Sequence, residues 1–84
     1  MTSVNRGNKN AAARENNTKE IAEFLAEHGY GYEPRNNGAH LEIYVNGRCI
    51  DYWPGTDRWR ESDNMYVKSS FGIEPLKQFL LSIM

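Results

Sequence analysis

Apolar positions recur along this chain with a spacing that changes from segment to segment, and each spacing predicts a different element. Ile21, Phe24, Leu25 and His28 fall at i, i+3, i+4 and i+7, one face of an α-helix. Asn17, with Glu20 three residues later, has the form of an N-terminal cap, and Gly29 supplies a left-handed stop. The spacing therefore predicts a helix over residues 18 to 28. Tyr30 and Tyr32 alternate with Gly31 and Glu33, and Pro34 has no N–H to give to a ladder, which suits a short edge strand. Asn36-Asn37-Gly38 reads as a turn.

The clearest local signal lies in residues 39 to 53. Asn46-Gly47 sits between two alternating runs and predicts a type I′ hairpin. A two-residue turn sets the register: Val45 opposite Arg48, Tyr44 opposite Cys49, Ile43 opposite Ile50, Glu42 opposite Asp51, Leu41 opposite Tyr52 and His40 opposite Trp53. One face then carries Leu41, Ile43, Val45, Ile50 and Tyr52, and the other His40, Glu42, Tyr44, Cys49, Asp51 and Trp53. The first is the core face, because amphipathic helices need an apolar surface to cover; the second faces solvent or a partner. Trp53-Pro54-Gly55-Thr56 ends the hairpin. Residues 57 to 70 have no clean period, with room for a short strand around Met65 to Lys68. Ile73, Leu76, Phe79, Leu80 and Ile83 share a helical face, and Pro75 is tolerated only in a first turn, so this last helix begins near Gly72 or Ile73. Together the elements predict an α+β domain, a three-stranded antiparallel sheet with two helices packed on one face, in the order α-β-β-β-α.

Composition narrows the picture. With 84 residues there is room for one domain, taken as residues 17–84 behind a flexible leader of residues 1–16. Arg6, Lys9 and Arg14 make that leader locally basic, either a solvated tail or a phosphate-contacting arm. Ten basic and eleven acidic side chains leave a formal charge of −1, so no global field draws the protein to nucleic acid or an anionic membrane, and any RNA contact must use a local patch. A single cysteine and two histidines fall short of a zinc-finger pattern. No apolar run approaches the ~20 residues that span a bilayer, and the N-terminus lacks the apolar stretch of a signal peptide. The expected compartment is the cytoplasm, with no membrane partner and an oligomeric state that the sequence leaves open.

The order helix, three strands, helix is that of the double-stranded-RNA-binding domain. Within it, EIAEFLAEHGYGYEPRNNGAH resembles the start of the HicA family of toxins, also called YcfA-like. That family has a helix ending in a Gly-aromatic pair, a first strand, and a Gly-Ser-His motif opening the second strand; here Gly38-Ala39-His40 stands in that place, with Ala for Ser. Tyr52-Trp53-Pro54-Gly55-Thr56 and residues 72 to 84 occupy the positions of the family's strand end and final helix. The Trp-Pro-Gly-Thr stretch also looks like small phage and prophage proteins of the same layout. The HicA resemblance implies RNA binding and ribosome-independent mRNA cleavage, an endoribonuclease that needs no cofactor or metal, with His40 as the catalytic group.

An imidazole titrates near neutrality and can move a proton to or from a ribose hydroxyl or a leaving oxygen. Glu42 and Asp51 share the face of His40 and oppose phosphate there, which makes them electrostatic modulators. Those three residues are also the candidates for a divalent ion, but on a flat surface they are a weak set, and no metal is expected. Tyr44, Trp53 and Trp59 are many aromatics for the outer side of a small sheet. They mark a partner surface or stack on RNA bases, with Arg35, Arg48, Arg58 and Arg60 as a basic rim, unless Trp59 folds back to cap the core. Cys49 reads as a small filler and His28 as a helix-end histidine bonding the last carbonyls. Two classes of function stay open: a HicA-like RNA-binding domain whose partners are RNA and an antitoxin, and a non-catalytic phage-type adaptor or inhibitor that binds a host protein through the exposed sheet face.

Overall fold

The computed structural model describes the backbone of residues 2–62 and 70–84, and within them the side chains from residue 12 onward. The chain runs α1 (Thr2–Glu27), β1 (Gly31–Arg35), a tight turn at Asn36–Gly38, β2 (His40–Val45), β3 (Arg48–Trp53), β4 (Arg58–Glu61), β5 (Ser70–Phe71) and α2 (Ile73–Ile83). The α+β class and the antiparallel sheet are as expected, but the sheet has five strands in the order β1-β2-β3-β4-β5, not three.

The hairpin follows its predicted register, with Leu41↔Tyr52, Glu42↔Asp51, Ile43↔Ile50, Tyr44↔Cys49 and Val45↔Arg48. Asn46 and Gly47 both take positive φ, 50° and 80°, the backbone of a type I′ turn. β1 pairs with β2 as an edge strand, Pro34 lying opposite Leu41. The two extra strands come from the segment without a period. β4 has one apolar residue, Trp59, among three charged ones, so it offers almost no pattern; it exists because Trp59 pairs with Tyr52 and reaches the core. β5 is only two residues long and adds to β4 through Arg58↔Phe71 and Trp59↔Ser70. The predicted strand around Met65 to Lys68 lies outside the described residues.

Helix α1 corrects a second expectation. It is continuous from Thr2, so Asn17 sits in its interior rather than at its cap. The Asn17 side chain instead donates from Nδ2 to the carbonyl of Pro54, 2.9 Å away, tying α1 to the end of the hairpin. The C-terminal end is as predicted. Gly29 has φ 80°, Gly29 N–H donates to Ala26 O and Tyr30 N–H to Leu25 O, the two bonds of a Schellman stop. His28 Nδ1 bonds Phe24 O at 2.8 Å. Helix α2 starts at Ile73, which puts Pro75 in its first turn.

One core holds these layers together. Ile21 and Leu25 from α1 and Leu76 and Leu80 from α2 meet Leu41, Ile43, Val45, Ile50, Tyr52 and Trp59 of the sheet. All the aliphatic members are essentially inaccessible, and each contributes about 1.5–3 kcal/mol by burial. Polar ends that enter this layer find partners. Tyr52 OH donates to Asp57 Oδ1 at 2.7 Å, and Trp59 Nε1 donates to Gly72 O at 3.1 Å. Burial, seconded by the Asp57 bond, pushes the Tyr52 hydroxyl far above its ordinary range. Among the described residues no helix is long and apolar enough to cross a membrane.

Candidate functional site

Since both helices lie on one side of the sheet, the alternation of each strand delivers a second set of side chains to the opposite side. Glu33 and Arg35 come from β1, His40, Glu42 and Tyr44 from β2, Cys49, Asp51 and Trp53 from β3, Arg58 and Arg60 from β4 and Phe71 from β5. Every residue of the sequence-predicted site except Arg48 and Trp59 is in this set. Those two alternate to the helix side. Trp59 is a core residue, only 8% exposed and tilted against Phe79, which is the capping role weighed for it above. Arg48 makes a two-pronged ion pair with Glu61, at 2.6 and 2.7 Å, and lies over the Phe79 ring.

The centre of the open face is Asp51, the buried charged residue of the described chain. Its Oδ1 takes a bond from His40 Nε2 at 2.8 Å and its Oδ2 a bond from the Ser62 hydroxyl at 2.7 Å. An ionised carboxylate only accepts, so Nε2 carries the proton of the bond and Nδ1 is the nitrogen left to exchange one. This is not a nucleophilic triad. The carboxylate stands between the serine and the histidine, and the hydroxyl has no path to the imidazole. Ser62 went unnoticed in the sequence because it belongs to the aperiodic segment; it is held here by its own N–H, which donates to Cys49 O at 2.9 Å.

The His40 ring is stacked on Trp53, centroids 4.8 Å apart and planes 10° from parallel. On the next strand the Arg58 guanidinium carbon lies 4.3 Å from the Trp53 ring, and that of Arg60 5.7 Å. Trp53 thus has an imidazole from β2 and two guanidinium groups from β4 packed against its ring. His40 is less exposed than an ordinary outward strand residue, its side chain 18% accessible.

A second group lies beside the first. Arg35 Nε donates to Glu42 Oε1 at 2.6 Å and Tyr44 OH donates to the same oxygen at 3.1 Å. The Arg35 bond, with that from Tyr44, holds the Glu42 carboxyl below the ordinary range, and the same pair holds Arg35 above its own. Loss of hydration and the adjoining Glu42 push the Tyr44 hydroxyl up. Neither Glu42 nor Asp51 is therefore a bare negative charge beside His40. Among the described residues, Glu42, Cys49 and Asp51 bring ligand atoms within 4.8 Å of one another, with both oxygens of Asp51 and Oε1 of Glu42 already engaged. On the helix side, a groove of about 600 Å3 runs between Arg14 and Lys19 of α1 and Tyr32 of β1, with Arg14 Nη2 donating to Asn37 O across it. Comparison of this chain with protein-family models, curated proteins and solved structures returns no match.

Proposed function

We propose that this protein is an RNA-binding domain of the HicA-like layout that acts as an endoribonuclease, an mRNA interferase, with His40 as its proton-transfer group. The observation that carries the reading is the bond between His40 Nε2 and Asp51 Oδ1 at 2.8 Å, with Ser62 securing the far oxygen of Asp51. It orients an imidazole, a group suited to giving and taking a proton, on the open face.

In the proposed reaction His40 Nδ1 takes the proton of a ribose 2′-hydroxyl. The 2′-oxygen forms a bond to the adjacent phosphorus as the bond from phosphorus to the 5′-oxygen breaks. The imidazolium returns its proton to that leaving oxygen, so the products are a 2′,3′-cyclic phosphate and a 5′-hydroxyl. Asp51 stays ionised and stabilises the imidazolium while it exists. Purified protein incubated with single-stranded RNA in EDTA should yield those ends, and His40→Ala should lower the rate by about 10²–10⁴-fold, the usual contribution of a general acid–base group. A wild-type protein that neither binds nor cleaves RNA at low salt overturns the reading.

A second reading rests on a different observation. Tyr44 and Phe71 are large hydrophobics of the helix-free face that stay 45% and 63% exposed, which fits a phage-type adaptor or inhibitor seating a host protein there. Retention of one stoichiometric host protein, unchanged by ribonuclease and lost in Tyr44→Ala with Phe71→Ala, would favour it.

A further inference from the structure

Among the described residues, two cations of the open face have no carboxylate partner. Among the described residues Arg35, Arg48 and Lys77 are all ion-paired, whereas neither Arg58 nor Arg60 lies within ion-pair distance of an acid, even though Arg60 is directly opposite Asp51 in the ladder. Asp51 has spent both oxygens on His40 and Ser62. Arg58 is fixed nonetheless, because its guanidinium packs over Trp53. A guanidinium stacked by its flat face keeps its in-plane N–H groups for another acceptor, and that fork matches the oxygens of a phosphate. One donor is conspicuous: Arg58 Nε is buried and has no acceptor among the described residues, a group that native structures seldom leave unmatched.

We propose that Arg58 and Arg60 form a binding subsite for a phosphodiester, with Trp53 as the wall that separates it from the His40 imidazole. This rests on the RNA reading above and names the part of the substrate that each side of Trp53 handles. The imidazole and the Arg58 guanidinium pack against the same ring, so they are no more than about 9 Å apart. That is roughly the reach of two hydrogen bonds of ~2.8 Å plus the few ångströms between a ribose 2′-oxygen and the oxygens of the adjacent phosphate. A backbone linkage lying across the Trp53 edge would place its hydroxyl at His40 and its anionic oxygens at Arg58 and Arg60. Arg35 is not part of the subsite, since its charge is committed to Glu42.

The probes are a single-stranded 2′-O-methyl RNA oligonucleotide, which binds but has no hydroxyl to react, and inorganic phosphate. The wild type, Arg58→Gln, Arg58→Lys, Arg60→Gln and the control Arg48→Gln are titrated with the oligonucleotide across a salt series, after thermal melts establish that each is folded. Arg58→Gln and Arg60→Gln should each weaken binding about tenfold and lower the slope of log affinity against log salt by about 0.7, the value for one lost phosphate contact on a single strand. Arg58→Lys should keep most of the slope and lose part of the affinity, and Arg48→Gln should match the wild type. Inorganic phosphate should shift the Arg58 Nε–H resonance and leave that of Arg48 in place. Arg58→Gln that does not fold leaves Arg60→Gln and the phosphate titration to decide. If the oligonucleotide binds but the Arg60 variant matches the wild type in affinity and slope, the subsite is wrong and the RNA reading stands. If phosphate shifts Arg58 but no RNA binds at low salt, the subsite stands and the RNA reading falls. No shift with phosphate overturns the subsite.

Discussion

Asp51 and His40 show how much one buried carboxylate constrains its neighbours. Removing the imidazole leaves Asp51 Oδ1 without its donor at a position only 8% exposed, so His40→Ala should lower stability by about 1–3 kcal/mol. Urea denaturation measures this effect, and a loss below 0.5 kcal/mol would mean that water replaces the imidazole at no cost. Asp51→Asn is sharper. Its amide can accept from one neighbour only, so it must turn a donor toward either Ser62 or the imidazole. His40 nitrogen resonances should then report a changed tautomer balance, while His40→Ala reports nothing there. At the start of α2, Gly72 has φ 104°, and a Cβ on it would stand 3.0 Å from Pro75 Cδ. Gly72→Ala should therefore cost about 1–3 kcal/mol through backbone strain alone, and a melting temperature equal to the wild type would contradict that geometry.

Among the elements, the hairpin and α2 are coupled by one side chain. Asn46 supplies a positive φ to the turn, and its Nδ2 donates to Ile83 O at 2.8 Å and Met84 O at 3.2 Å, closing the open carbonyls at the end of α2. Asn46→Gly keeps the turn and loses these bonds, for an expected cost of about 0.5–1.5 kcal/mol. Asn46→Asp tolerates the turn equally well but sets an anion against the negative end of the helix, so it should be the worse of the two. Equal denaturation midpoints would show that the carbonyl contacts contribute little. The Asn-Gly signal marked the turn in the sequence, but nothing there indicated what its side chain would cap, because the end of α2 is 37 residues away. For β4 the reason is similar. A four-residue strand with one apolar position has no period to detect, and its pairing is decided by Trp59 fitting beside Tyr52.

At the scale of the whole molecule, ion pairs join the parts. Lys77 of α2 bonds Glu20 of α1 at 2.7 Å, Arg48 joins β3 to Glu61 of β4, and Arg35 joins β1 to Glu42 of β2. In each pair the cation's hydrogen bond is the main cause holding the glutamate below its ordinary 4.5. A folded-state value below the unfolded one means the contribution is present above about pH 4.5 and is lost as pH falls through the lowered values. All three pairs are largely solvated, so each is worth little. The melting temperature should be level near neutrality and decline below pH 4.5, and Glu20→Gln, Glu42→Gln and Glu61→Gln combined should flatten part of that acid limb. An identical limb in the triple variant would assign it to other groups. The sequence by itself determined what depends on neighbours a few residues apart: both hydrophobic periods, the I′ turn, the hairpin register, the glycine stop of α1, and hence which side chains lie on the open face. Tertiary structure alone decided what depends on which element lies next to which: five strands instead of three, Trp59 in the core, Asn17 holding Pro54, and Ser62 brought to Asp51 from a segment without pattern. Local spacing fixes a side chain's direction from its strand, but the identity of the group it meets is settled by packing between segments distant in the chain.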